Sequence, residues 1–424
     1  MPHIFTEFTD GGQHLPGWPF ALPALVDATT SASRNHGGPI EALALALLAF
    51  QLYVAWRERP RLRANWLRPG IRVLTYAVVS LSLITLFSLV LVSSGAMYSA
   101  NFLPVGPSTT IVAVGYFWIV LSSFALAAVL VTRYLLDRRI PAMHSSARRT
   151  WLLAAGGIAL AAPSAVAAFG VLVERHQYRI LELDLPVASL HPDFEGFRVV
   201  QVSDLHVSPF LSVREAARVI DMANELRADL ALFTGDLITE RGDPLDDAIR
   251  ELIRLRAPWG VLGCMGNHEE YIGCRNYLQR ETAKAGLTFL RNTATLIRRG
   301  QGVLNIAGVD YQRSENRRNY IPGAERLVVA GMPNILLSHN PDVFPAAIGR
   351  GFQSVISGHT HGGQVNVEIL HQNINPSRFR TPFTSGLYRQ DDATCFVTNG
   401  IGTIGMPIRL GAPPEVALLR LRRA

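Results

Sequence analysis

Five short apolar strings in the second half of the chain each run straight into Asp, His or Asn. Phe197–Val202 leads into Ser203-Asp204-Leu205-His206, and Leu230–Thr234 into Gly235-Asp236. Val261–Met265 leads into Gly266-Asn267-His268-Glu269, and Asn334–Leu337 into Ser338-His339-Asn340-Pro341. Gln353–Ser357 leads into Gly358-His359-Thr360-His361-Gly362-Gly363. Apolar, β-branched strings bounded by such turns predict strands. Between them, Ser212–Leu226 carries Val213, Ala216, Ala217, Ile220 and Ala223 near helical spacing, with Ser212 as N-cap. Leu245–Leu255 reads the same way. The order is βαβα-like, and the polar residues fall on the loops after strands, where α/β sites are built.

The residue types suit metal chemistry. Asp204 and His206, two apart on an extended chain, point to the same side, so a carboxylate and an imidazole can hold one ion. The flanking glycines permit tight turns and close approach of the backbone. The three cysteines, Cys264, Cys274 and Cys395, give no disulfide framework and no C-x-x-C pair, and are predicted to be buried free thiols. Any one of the five motifs is common alone; their joint occurrence in this order is specific.

From about Phe194 to Leu421 the chain resembles the calcineurin-like metallophosphoesterases. The resemblance rests on D-L-H at 204–206, G-D at 235–236, G-N-H-E at 266–269, H-N-P at 339–341 and G-H-T-H-G-G-Q at 358–364. The ending, Gly400-Ile401-Gly402 through Pro407-Ile408-Arg409 to Pro413-Pro414-Glu415, is similar to a bacterial subgroup with membrane or twin-arginine anchors. The resemblance implies a β-sandwich flanked by helices, two divalent metals and phosphoester hydrolysis. By matching motif, Asp204, His206 and His361 would bind the first metal, and Asn267, His339 and His359 the second. Asp236 would bridge them, and His268 would donate a proton to the leaving group or stabilise the phosphoryl oxygens. Mixed Asp, His and Asn ligands suit manganese, iron or zinc. Two such ions clamp the attacking and leaving oxygens of an in-line displacement, so no serine or cysteine nucleophile is needed. Glu269 and Glu270 read as supporting or helix-start residues. His176, His191 and His371 read as surface residues, and Arg313, Arg317 and Arg318 as a solvated charge run. Arg380, Tyr388 and Arg409 are candidates for the pocket lining.

The first half of the chain differs. Ile40–Trp56, Val73–Ser94, Ser108–Thr132 and Thr150–Val173 are long and apolar, and the last three carry no charge. Their length predicts about four transmembrane helices over 39–174. Residues 57–72 hold six Arg and one Glu, and residues 133–149 five Arg and one Asp. These stretches account for more than the whole formal charge of +7. Their excess predicts cytoplasmic loops and an extracytoplasmic C-terminal domain over 175–424, in a bacterial inner membrane. No nucleic-acid partner is expected, because that domain has no basic patch. Arg148-Arg149 before an apolar run resembles a twin-arginine signal, Ala165-Val166-Ala167 a cleavage site, and residues 1–38 a flexible segment. A membrane location suggests a lipid-linked or pyrophosphate substrate. The competing class is a non-catalytic metal-binding membrane receptor or scaffold, which would hold metal without turnover. No sequence feature sets an oligomeric state.

Overall fold

The structure is a computed structural model and describes residues 46–53, 165–313, 319–369 and 372–424, with Trp56, Ile119, Ser122, Ser123, Ala127 and Ala162. The chain divides into two units, Met1–Ser99 and Ala100–Ala424. In the first, residues 46–53 are helical. The second contains two six-stranded sheets.

One sheet runs, across its width, β1 (Arg179–Val187), β14 (Glu415–Arg423), β2 (Arg198–Val202), β3 (Leu230–Phe233), β4 (Val261–Gly263) and β5 (Leu287–Phe289). The other runs β12 (Gly386–Gln390), β13 (Ala393–Val397), β9 (Ser354–Ser357), β8 (Asn334–Leu337), β7 (Gly302–Gly308) and β6 (Thr293–Arg299). Neighbours from β2 to β5 pair in parallel, as do β7, β8, β9 and β13. A small antiparallel pair, β10 (Val367–Ile369) and β11 (Gln372–Ile374), stands apart.

Alternation along each strand divides its apolar side chains between two layers. Val199, Leu230, Leu232 and Leu262 face the second sheet and meet Ile306, Ile335, Leu337, Ile356 and Phe396. Val200, Val202, Ala231 and Phe233 point outward onto the helices α1 (Val213–Glu225), α2 (Leu245–Leu252) and α4 (Arg275–Ala283). The second sheet covers its outer face with α5 (Phe344–Gly349). Strands buried on both faces explain why they read as continuous apolar strings. The expected sandwich flanked by helices is therefore present. Ser212 caps α1 in a reciprocal box with Glu215. The three cysteines are buried and free.

The four-helix membrane bundle is a correction. Among the described residues no helix is long and apolar enough to cross a membrane. The end of the fourth apolar run is helical over 165–172 and packs on protein. The carbonyl of Gly170 accepts a hydrogen bond from the Arg409 N–H at 3.2 Å. A Cβ on Gly170 would lie 2.7 Å from Ile408 Cγ1. Glu174, buried one turn on, accepts from the Gly411 N–H at 2.8 Å. Small apolar residues here permit close contact with protein, which hydropathy does not distinguish from contact with lipid. Residues 1–38, Val73–Ser94, the Arg148-Arg149 pair and most of Ser108–Thr132 and of Thr150–Val173 lie outside the described residues.

Candidate metal centre

The parallel strands of both sheets deliver their C-terminal loops to one place. The loop after β2 brings Asp204 and His206, and that after β3 brings Asp236. The loop after β4 opens the short helix α3 (Asn267–Ile272), with Asn267 and His268 in its first turn. The second sheet contributes His339 after β8, and His359 and His361 after β9. All eight side chains thus converge.

Asp204 and His206 do not reach this place on an extended chain, as their spacing suggested. Both lie beyond β2 in the left-handed region, with φ of 52° and 47°. Asp236, His359 and His361 do the same, with φ of 59°, 75° and 53°. Such backbone costs of order 1–3 kcal/mol per non-glycine residue and gathers at functional sites. Here it turns each side chain sharply off its strand end.

The geometry forms two groups that share one carboxylate. Nε2 of His206 and Nε2 of His361 face each other at 3.1 Å, and Asp204 Oδ1 lies 3.4 Å from the latter. On the other side, His339 Nε2 lies 3.1 Å from both Asn267 Oδ1 and His359 Nδ1. Asp236 Oδ2 stands between them, 3.5 Å from His206 Nε2 and 3.0 Å from His339 Nε2. Its other oxygen accepts the His268 N–H at 2.9 Å.

These atoms fit a cation. The Nδ1 of His339 can only donate to the Thr234 carbonyl, 2.7 Å away, and the Nδ1 of His361 to that of Gly402, 3.3 Å away. The neutral His361 ring then presents an Nε2 lone pair to that of His206, an arrangement that a metal satisfies. Burial pushes His206 and His359 down to about 3, and His361 well below the ordinary imidazole value. Burial also opposes charge on His339, but the Asp236 and Asp204 carboxylates prevail and raise it to about 10. Asp204 is lifted by burial to about 6. Asp236, despite its burial, is held well below the usual carboxylate range by His339 and His206.

His268 Nδ1 is hydrogen-bonded to the Thr239 carbonyl, and its ring stands edge-on to His206 at 4.8 Å. It lines a cleft of about 690 Å³ with Tyr271, Tyr311, Arg313 and Arg380. Arg313 is paired with Glu270 at 2.6 Å. Tyr388 is absent from the cleft wall; its hydroxyl accepts from the Thr384 and Ser385 N–H groups. Arg409 also leaves the expected role, being fully buried behind His361. His176 pairs with Glu215, and His191 accepts from the Asp193 N–H. Arg317, Arg318 and His371 lie outside the described residues.

Glu269 was legible only as a supporting residue, and it does more. Its carboxylate accepts the N–H groups of Asp236, Leu237 and Gly266 at 3.0, 2.7 and 2.7 Å. Tyr271 and Tyr311 carried no motif that could have found them.

Two mixed sheets whose parallel strands bring an Asp/His/Asn cluster together at their loop ends define a metal-dependent phosphoesterase fold and site. Residues 197–363 match the family described as calcineurin-like phosphoesterase. The chain is 30% identical over 239 residues to an uncharacterized metallophosphoesterase of Aquifex aeolicus, covering 54% of this chain and 87% of the relative. It is 29% identical over 296 residues to the uncharacterized metallophosphoesterase YkuE of Bacillus subtilis, covering 66% and 99%. It is 29% identical over 232 residues to phosphodiesterase YaeI of Escherichia coli, covering 53% and 82%. Several other relatives are matched over only about three fifths of their own length. The chain belongs to the calcineurin-like phosphoesterase family and is a metal-dependent phosphoesterase.

Proposed function

We propose that the chain hydrolyses phosphodiesters, and phosphomonoesters less well, at a centre of two divalent metals. The observation that carries this reading is the position of Asp236 Oδ2 between His206 and His339. Asp204, His206 and His361 would hold one ion and Asn267, His339 and His359 the other, with Asp236 common to both. Manganese, iron and zinc suit this donor set. When bound, the pair would make water a stronger nucleophile and neutralise phosphoryl charge.

The protein's own groups do the rest. Asp236 is fixed from both ends, by the His268 N–H on Oδ1 and by the Glu269 carboxylate on its backbone. His268 donates Nδ1–H to the Thr239 carbonyl, so it can give a proton to the leaving oxygen from Nε2 only as the doubly protonated imidazolium, returning to the neutral ring. Arg380 lines the cleft with positive charge suited to a phosphate, while Arg313 beside it is paired with Glu270.

A diester is favoured by a cleft with room for two substituents, and by the relative described as a phosphodiesterase. A lipid-linked or pyrophosphate ester is the narrower proposal. Phe379, 94% exposed beside the cleft-lining Ser377 and Arg380, offers an apolar surface for such a tail.

The test compares bis-p-nitrophenyl phosphate with p-nitrophenyl phosphate, using the purified chain and its Asp236→Asn variant. Preference for the diester, lost in the variant, is expected. Equal turnover by Asp236→Asn would sink the mechanism, and metal bound without any turnover would return weight to a binding protein.

A further inference from the structure

Among the described residues the largest fully buried side chain is a cation, Arg409. Its guanidinium has no carboxylate among its hydrogen-bond acceptors. Nη1 donates to the carbonyls of His361, Asn399 and Ala412 at 3.1, 2.9 and 2.9 Å. Nη2 donates to the Gly402 carbonyl and lies 3.4 Å from His361 Nδ1. A buried charge is costly, and carbonyl contacts are the means of tolerating it here. An apolar side chain could fill the space without that cost, so the fork's function lies in what it ties together.

Those carbonyls belong to two loops that meet a single ligand group. The His361 carbonyl lies on the loop after β9. Asn399 and Gly402 lie on a loop laid directly against Asp204 and His206. The Gly402 N–H donates to the Asp204 carbonyl at 2.7 Å, and the Ile401 N–H to that of Ser203 at 3.1 Å. A Cβ on Gly402 would come within 2.3 Å of the Leu205 carbonyl and 2.8 Å of His206 Cβ. A Cβ on Gly400, at φ +64°, would come within 2.6 Å of Asp204 Cβ. The Gly402 carbonyl also accepts from His361 Nδ1, the contact that leaves Nε2 free. His339 and Asn267 are held separately, by the Thr234 carbonyl and by α3, whereas His359, on the loop after β9, touches the first group through its N–H, which donates to the Asp204 carboxylate at 3.0 Å.

We infer that Arg409 is a positioning residue for one half of the metal centre, setting Asp204, His206 and His361 as a unit and leaving the Asn267 and His339 half to other supports. The inference rests on the two-metal reading above. Lysine keeps the charge but replaces two nitrogens in a fixed fork with one, so it cannot serve four carbonyls across two loops. Partners behind a ligand typically change metal affinity about 10–100-fold.

The experiment is metal binding by the full chain, with manganese as probe, in wild type, Arg409→Lys and Gly402→Ala. Circular dichroism reports folding. Wild type is expected to bind about two equivalents. Arg409→Lys should keep one and bind the other about 10–100-fold more weakly. Activity should return at high manganese while circular dichroism shows the variant equally folded at low and high manganese, which separates a weakened site from a general loss of stability. Gly402→Ala, which presses the same loop from its other side, should show the same selective loss. Two tightly bound equivalents in folded Arg409→Lys would overturn the inference alone. Should that variant not fold, two tight equivalents in Gly402→Ala would do so. A wild type that binds no manganese would overturn the inference together with the two-metal reading.

Discussion

The Glu269 carboxylate holds the backbone of Asp236, accepting its N–H at 3.0 Å while also taking those of Leu237 and Gly266. Glu269 is fully buried. It therefore closes one metal loop upon another through three amides that have no water to turn to. Glu269→Ala would orphan all three, and a buried unsatisfied donor costs about 1–3 kcal/mol. We expect a fall in unfolding free energy of about 3 kcal/mol or more in urea titration, with metal affinity reduced as well. A loss below about 1 kcal/mol, the net value of one ordinary hydrogen bond, would show that the loops hold without it.

His268 divides two roles that geometry alone leaves adjacent. Its ring nitrogen comes close enough to His206 and Asp236 to count as a metal donor, and it also lines the cleft. As a proton donor, its removal in His268→Ala should lower kcat by about 10²–10⁴-fold with metal content unchanged. Loss of one metal equivalent in that variant would make it a ligand instead.

Gly266 shows how closely the two motif loops approach. A Cβ there would lie 2.1 Å from Asp236 Oδ1. Gly266→Ala should displace Asp236 and weaken metal binding. Unchanged manganese affinity in a folded Gly266→Ala protein would contradict this placement.

A stability effect away from the centre follows from Glu215. Burial raises its pKa, but hydrogen bonds from the Ser212 backbone and hydroxyl and from Tyr178 outweigh it, and the folded value is lowered. A lowered folded value means that the contribution is present above the unfolded pKa of about 4.3 and is lost as pH falls through the folded one. The gap in stability between wild type and Glu215→Gln should therefore be larger at neutral pH and narrow below about pH 4. A gap that widens in acid would reverse the sign. Ser212→Ala, which removes the cap from α1, should cost about 1 kcal/mol at neutral pH.

What the sequence made legible was the part governed by local rules. Strands buried on both faces announce themselves as apolar strings, and Ser212 with Glu215 announces a helix start. The ligand residues were legible because each must follow a strand. Their left-handed backbone was not, because nothing in Asp204-Leu205-His206 distinguishes a turned loop from an extended one. Arg409 read only as a candidate for the pocket lining; the folded loops alone show four carbonyls gathered around it. The membrane bundle failed at its described end for a related reason. Gly170 has no side chain where Ile408 and the Arg409 backbone lie against it.

The central claim is that two metals share Asp236, and reconstitution tests it most directly. The purified chain is stripped with a chelator, and turnover of bis-p-nitrophenyl phosphate is followed as manganese is added back. The account predicts no turnover in the stripped protein and a rise that levels off at about two equivalents per chain. Full turnover without metal, or a plateau at one equivalent, would contradict it.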